Sequence, residues 1–267
     1  MQKILHVVPL SRRAGVQVMF INFLKYVKNN KPEILKNHIV LAMNHSDDIV
    51  REIENIGVQV YKAKRRNKYD ITVLFKIRKI IKYHNINVVY GQNSTGNIWA
   101  YFITLVTKGL KLVCHEHGTS WNASGFNGLM ARLWGNKARV IIANSLAAKT
   151  MLTKKFKLDE GKIHVVYNGV PMCSNNIHAR KKKAEQLLYV GRLDDVKSPK
   201  TLIHMISHLK DDLELSSVNL IILGDGYLKE ELISLSRALG VDHMIDFKGS
   251  VPYERVLDYM SESALLI

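Results

Sequence analysis

Leu187-Leu188-Tyr189-Val190-Gly191-Arg192-Leu193-Asp194-Asp195-Val196-Lys197 is an apolar run that ends in glycine, followed by two cations, Arg192 and Lys197. The apolar run predicts a buried strand. In an open α/β sheet, such a strand delivers whatever follows it to the crevice beyond the strand carboxyl ends, where ligands bind. Arg192 and Lys197 together suit a diphosphate, because both donors are cationic and a guanidinium can grip two oxygens at once. The same pattern also fits a strand that ends in a solvated, charged turn, so its neighbours decide between the two.

Those neighbours form an ordered set. Tyr167-Asn168-Gly169-Val170 comes before the stretch. Gly224-Asp225-Gly226 follows the apolar run Val218–Leu223, and Phe247-Lys248-Gly249 follows a further short run. With these motifs in this order and at these spacings, the chain resembles the retaining GT-B glycosyltransferases of family 4, also called glycosyl transferases group 1. The resemblance extends from Lys3 to Ile267.

The resemblance implies an α/β fold of two Rossmann-like parallel-sheet domains facing a cleft. It also implies transfer of a sugar, with retention, from a nucleotide diphosphate sugar to a saccharide or lipid-linked acceptor, in the manner of bacterial surface polysaccharide synthesis. It places Arg192 and Lys197 on the donor diphosphate, where they would neutralise charge developing on the leaving nucleoside diphosphate. It places His117 against the transferred sugar, with His115 as the second candidate. Gly191 ends the strand that carries Arg192, and Gly224, Asp225 and Gly226 form a tight turn beside the nucleotide. Lys248 and Gly249 would lie near the base, and Asn168 near the domain junction and the nucleotide cleft. No metal or other cofactor is expected, since the chain has no Asp-x-Asp triplet and GT-B enzymes usually need no divalent ion.

Bulk properties describe a folded, soluble protein rather than a disordered one. The chain has 267 residues, 47% of them apolar, room for one large or two smaller domains. Its longest apolar stretches fall short of the roughly 20 residues of a membrane span. The opening Met1-Gln2-Lys3-Ile4-Leu5-His6-Val7-Val8-Pro9 reads as a first buried strand rather than a signal peptide. Cys114 and Cys173 form no metal or redox spacing and suggest free thiols in a reducing, cytoplasmic setting. Charge is uneven: residues 1–173 carry 27 Lys and Arg against 9 Asp and Glu, whereas residues 174–267 carry 12 against 14. The basic half could meet an anionic membrane surface at the inner face of the cell membrane, a phosphorylated acceptor, or nucleic acid. Aromatic interleaving in the Lys62–Lys68 cluster is poor, which argues against nucleic acid.

Short apolar runs alternate with amphipathic ones, the mark of parallel βα units. Strands are predicted at Lys3–Val8, His38–Met43, Val58–Tyr61, Asn87–Tyr90, Lys111–His115, Arg139–Ala143, Leu187–Val190, Val218–Leu223 and Met244–Phe247, with Ala264–Ile267 starting another. Helices are predicted at Val16–Lys28, Ser46–Ile56, Ile71–Tyr83, Ile98–Thr107, Leu146–Phe156, Lys200–Leu209, Leu228–Leu239 and Tyr253–Met260. Pro171–Glu185 is polar, lysine-rich and without apolar period. The domains are therefore 1–171, the acceptor side, and 186–267, the nucleotide-sugar side, joined by a linker at 172–185.

Other residues carry two readings each. In Ser11-Arg12-Arg13-Ala14-Gly15, a glycine between strand and helix lets backbone N–H groups approach an anion, yet a plain turn fits as well. The family has a glycine-rich loop here, and Gly15 is the residue that carries over, toward donor phosphate or acceptor. In Cys114-His115-Glu116-His117-Gly118, His115 and His117 share a strand face. That would permit a metal pair, but no third ligand is evident. Asn144-Ser145 reads as a helix cap. Lys62, Lys64, Arg65, Arg66 and Lys68, with the cationic side of Ile71–Tyr83, fit either a solvated face or a membrane-surface patch.

The family's second-domain signature is Pro-Ser followed by a pair of glutamates, E-x7-E, after a strand resembling Ala264–Ile267. The chain ends at Ile267, before that segment, so the second domain is expected to be incomplete and its sheet edge exposed. Two rivals remain: a nucleotide-sugar epimerase of the same architecture, and an inactive remnant or non-catalytic binding module.

Overall fold

The computed structural model describes residues 2–11, 14–63, 70–118, 125–170, 183–212 and 217–267. They form two compact units, Met1–Pro171 and Met172–Ile267. Arg12, Arg13, residues 64–68 of the basic loop, and residues 171–182 with Cys173 lie outside the described residues.

The first unit runs β1 (Ile4–Leu10), α1 (Gly15–Asn30), α2 (Pro32–Leu35), β2 (His38–His45), α3 (Asp47–Ile56), β3 (Gln59–Lys62), α4 (Val73–His84), β4 (Val88–Gln92), α5 (Asn93–Val106), β5 (Lys111–Glu116), α6 (Gly125–Lys137), β6 (Val140–Ala143), α7 (Leu146–Thr150) and β7 (Ile163–Val165). Its seven strands are all parallel, in the order β3-β2-β1-β4-β5-β6-β7. Strand alternation sorts the core into two layers. Leu5, Val7, Ile39, Leu41, Leu112 and Cys114 pack beneath α4, α5 and α6, whereas Val8, Leu10, Val40 and Ala42 pack beneath α1 and α3. α1 buries Phe20, Ile21, Leu24 and Val27, a 3.6-period stripe. Each such side chain is worth roughly 1.5–3 kcal/mol on burial.

Three elements escaped the sequence reading, the short α2, α6 and β7, and the start of a fourth, α5, was placed too late. α5 begins at Asn93, five residues ahead of the predicted Ile98. Its polar first turns have no apolar period, but the Asn97 side chain is buried, its Oδ1 accepting from the His115 backbone N–H and its amide donating to the His115 carbonyl, both at 3.2 Å. α6 has three glycines, which weaken the helical signal; burial of Met130, Ala131 and Trp134 sustains it. β7, three residues long, is too short to show alternation. The segment predicted as one helix over Leu146–Phe156 is α7, capped by Ser145 Oγ accepting from the Ala148 N–H at 3.1 Å, followed by a π turn at Met151–Lys155.

The second unit runs β8 (Lys183–Val190), α8 (Lys200–Leu209), β9 (Asn219–Leu223), α9 (Lys229–Ala238), β10 (Ile245–Gly249), α10 (Tyr253–Glu262) and β11 (Ser263–Leu266). β8 starts at Lys183, inside the segment expected to be linker. The four strands are parallel in the order β10-β9-β8-β11. Tyr189, Leu220 and Ile222 face α8 and α9, while Leu188, Ile221 and Leu223 face α10. β11 forms one edge of the sheet and leaves Leu265 and Leu266 more than half exposed. Among the described residues, no helix is long and apolar enough to cross a membrane.

Trp134 is wholly buried, and its indole N–H has no partner among the described residues. Trp134→Ala should therefore cost about 3–5 kcal/mol in urea unfolding. Trp134→Phe, which gives up no hydrogen bond, should cost clearly less; equal losses would show that the indole nitrogen matters.

Candidate functional site

In each sheet the strand order turns back on itself at one place, between β1 and β4 in the first unit and between β8 and β11 in the second. Crevices for ligands open at such switch points, beyond the strand carboxyl ends.

In the second unit a crevice of about 280 Å³ opens at the carboxyl ends of β8, β9 and β10, on the β9 side of β8 rather than between β8 and β11, and Gly191, Arg192, Gly224, Asp225, Ser250 and Val251 contribute to it. Three strand ends are knitted by backbone hydrogen bonds. Gly191 N–H donates to the Leu223 carbonyl at 3.0 Å, Leu193 N–H to the Asp225 carbonyl at 3.0 Å, and Gly224 N–H to the Gly249 carbonyl at 2.8 Å. This knitting dictates the glycines. A Cβ on Gly224 would overlap the Gly191 carbonyl oxygen, and one on Gly226 would overlap the Leu193 carbonyl oxygen. Gly224 also takes φ +148°, a conformation other residues rarely adopt.

The structure thus brings Gly191, Arg192, Gly224, Asp225 and Gly249 together. Arg192 Nη2 pairs with Asp194 Oδ2 at 2.7 Å, which holds the guanidinium in place. Asp225 Oδ1 accepts from the Gly226 N–H at 2.8 Å and closes the turn. Lys197 sits apart from the crevice lining, exposed on the short 3₁₀ turn Asp195–Lys197. Lys248 also departs from the expectation. Its strand position turns it toward α10, where it pairs with Asp246 Oδ2 at 2.5 Å in a separate polar pocket that Lys183 and Arg255 also line.

In the first unit, Gly15 opens α1 with free space around its Cα, as close approach of a ligand would require. His117 follows β5 in a dense network. Its Nε2 lies 3.0 Å from Gln92 Oε1, its backbone N–H donates to Glu116 Oε1 at 3.1 Å, and its carbonyl accepts from the Asn144 side-chain amide at 3.1 Å. Since an amide oxygen only accepts, that Nε2 carries a proton. The His115 and His117 rings lie 3.8 Å apart, and His115 Nδ1 is 2.8 Å from the Tyr90 hydroxyl. No group of three His, Cys, Asp or Glu residues that could hold a metal occurs among the described residues.

Asn168 and Gly169 border a second cavity of about 620 Å³ over the sheet face, shared with His6, His38, Tyr90 and His115. His6 Nε2 and His38 Nδ1 lie 2.8 Å apart. Gln92, Tyr90, His6 and His38 were not singled out from the sequence. The available signal was the β period: Tyr90 and Gln92 share one face of β4, as His115 and His117 share one face at the end of β5.

Burial holds these imidazoles neutral. It pushes His115 down to about 3, with the neighbouring His117 adding to the effect, and His117 down to about 4. His6 is lowered by burial and then by His38. His117 is therefore a neutral hydrogen-bonding group at neutral pH, not a proton donor.

Two outcomes follow from this geometry. In the unfolded chain these histidines take up protons near pH 6.5, whereas in the fold they do so only near pH 3–4. Their contribution to stability is complete above pH 6.5 and is lost as pH falls toward those folded values, by on the order of 2 kcal/mol each for His115 and His117 at pH 5. The urea midpoint of the first unit should drop between pH 7 and pH 5, and an unchanged midpoint would contradict their neutrality. Gly224→Ala should destabilise the second unit by about 3 kcal/mol or more, as overpacking and backbone strain combine; a wild-type melting temperature would refute the close approach.

The family models and the curated relatives of the chain are glycosyltransferases. Residues 12–172 match the family model described as Glycosyltransferase Family 4, and residues 174–267 match the model described as Glycosyl transferases group 1. The chain is 26% identical over 225 residues to N-acetylgalactosamine-N,N'-diacetylbacillosaminyl-diphospho-undecaprenol 4-alpha-N-acetylgalactosaminyltransferase of Campylobacter jejuni, covering 78% of this chain and 60% of that one. It is 27% identical over 191 residues to the O-antigen biosynthesis glycosyltransferase WbnH of Escherichia coli, covering 68% and 52%. The chain thus spans only about half to three-fifths of the length of these curated relatives. Among solved structures, Anabaena Alr3699/HepE in complex with UDP-glucose matches with a TM-score of 0.76 at 17% identity, over 100% of this chain and 73% of that chain. That likeness is one of fold, the GT-B architecture. Since the family models cover both units, the chain belongs to glycosyltransferase family 4.

Proposed function

We propose that the chain carries the donor-diphosphate and sugar-contacting parts of a retaining glycosyltransferase. In this reading a sugar moves from a nucleotide diphosphate sugar to a saccharide or lipid-linked acceptor in surface polysaccharide assembly. The observation that carries the reading is the crevice at the carboxyl ends of β8 and β9. There Arg192 stands beside close-packed glycine turns, so that a cation and bare backbone can both approach an anionic ligand. Arg192 and Lys197 supply the positive charge that the departing nucleoside diphosphate needs, with no metal required. His117 contacts the sugar as a neutral group, and Gly15 lets the first unit approach donor phosphate or acceptor.

Two relatives orient the substrate classes. The solved HepE complex holds UDP-glucose, and the name of the Campylobacter relative places its acceptor on diphospho-undecaprenol. The basic character of residues 1–173 suits such a phosphorylated, membrane-borne acceptor. α4 exposes Lys76, Arg78, Lys79 and Lys82 together with Phe75 and Tyr83, the mixture that settles on an anionic surface. We place the protein in the cytoplasm, peripheral to the inner face of the membrane. Membership in a transferase family favours transfer over the epimerase alternative.

Arg192→Ala removes the crevice's own cation. It should weaken uridine diphosphate binding by roughly 10- to 100-fold in calorimetric titration, the loss expected for charge-assisted hydrogen bonds. Wild-type affinity in the variant would remove Arg192 from the site.

A further inference from the structure

Lys197 is the one proposed phosphate ligand that stands on an exposed turn, so something must hold that turn if Lys197 is to serve a ligand. Segments 191–195 and 223–228 run side by side and are joined at four points. Three are backbone pairs: Gly191 N–H to the Leu223 carbonyl at 3.0 Å, Leu193 N–H to the Asp225 carbonyl at 3.0 Å, and Leu228 N–H to the Leu193 carbonyl at 3.2 Å. The fourth is a side chain. The Tyr227 hydroxyl donates to Asp195 Oδ2 at 2.6 Å and accepts from the Asp195 backbone N–H at 3.2 Å.

One hydroxyl therefore grips both the side chain and the backbone of the first residue of the turn Asp195–Lys197. Beyond it, the turn is closed by Lys197 N–H to the Asp194 carbonyl at 3.1 Å and Ser198 N–H to the Asp195 carbonyl at 3.2 Å. Ser198 then takes φ +47°, a left-handed conformation that fixes where the chain leaves for α8. Tyr227 is itself 72% exposed, so it contributes little to the core. Its hydroxyl has the more evident use, and Asp195 is the group it serves.

We propose that Tyr227 is a positioning residue: through Asp195 it anchors the turn that carries Lys197, so that the lysine meets the donor diphosphate from a fixed backbone. This rests on the reading of Lys197 as a diphosphate ligand given above. Tyr227 touches no phosphate in this account, and its effect on binding passes entirely through the turn.

The test uses the full 267-residue chain and the variants Tyr227→Phe, Lys197→Ala and the double variant, with uridine diphosphate as the probe. Tyr227→Phe keeps the exposed ring and leaves the fold intact. Amide hydrogen exchange without ligand should quicken at Asp195, Val196 and Lys197 in Tyr227→Phe; unchanged exchange overturns the anchor. In calorimetry, Tyr227→Phe should weaken binding roughly 3- to 10-fold in the wild-type background and less than about 2-fold when Lys197 is already alanine, the non-additivity of residues that act as one. Equal losses in both backgrounds would mean that Tyr227 acts on the ligand by itself, and the proposal falls. Quickened exchange with a Lys197→Ala variant that binds like wild type would show an anchor that positions no ligand, which also overturns it. If the wild-type chain binds no nucleoside diphosphate, the donor-site reading fails, and the exchange data still decide whether the anchor exists.

Discussion

Two backbone carbonyl oxygens, those of Gly191 and Leu193, occupy the space where side chains at positions 224 and 226 would begin. This close approach is the constraint on which the second unit's site depends. Strand twist and parallel pairing bring the ends of β8, β9 and β10 together. Only glycine lets the turns that follow lie near enough to exchange hydrogen bonds, Gly191 to Leu223, Leu193 to Asp225 and Gly224 to Gly249. The result is a floor of bare backbone with Arg192 at its rim. Larger residues would push the turns apart, break those hydrogen bonds and move the guanidinium away from the crevice.

The first unit solves a different problem. His115 near the end of β5 and His117 just beyond it have ring centroids 3.8 Å apart, among Tyr90, Gln92, Asn97 and Asn144. Two imidazoles that close cannot both be charged away from water, so burial keeps them neutral. Neutral imidazoles keep one donor and one acceptor nitrogen each, which suits the reading of hydroxyl-bearing ligands. The same arrangement makes the unit sensitive to acid, since protonating either buried imidazole works against the fold.

Much of the architecture was legible because parallel strands covered on both faces tend to be continuously apolar: among the described residues, ten of the eleven strands overlap runs read as strands, and several, such as β6 (Val140-Ile141-Ile142-Ala143), are apolar throughout. α8 was placed at its observed bounds because Ile203 and Ile206 fall on one side of a helical period between a proline and a charged turn. The start of α5 was hidden since its stability comes from Asn97 reaching across to β5, a tertiary contact with no local trace. α6 was hidden by its glycines. The position of Gly191, Arg192 and the Gly224-Asp225-Gly226 turn at the strand ends was legible from the apolar runs that precede them, whereas the direction of the Lys248 side chain was not, because strand parity decides which way a side chain points. Gln92 and Tyr227 escaped notice because each acts through a partner distant in sequence, His117 and Asp195 respectively.

The most direct test of the central claim is a titration of the ¹⁵N-labelled chain with uridine diphosphate, followed by amide chemical shifts. If the knitted strand ends are the donor-diphosphate site, the shifts should concentrate at Gly191, Arg192, Gly224 and Asp225, while Asn219 and Ile245 at the opposite ends of β9 and β10 stay still. Shifts that gather at those opposite ends, or a spectrum unmoved at saturating ligand, would contradict the account.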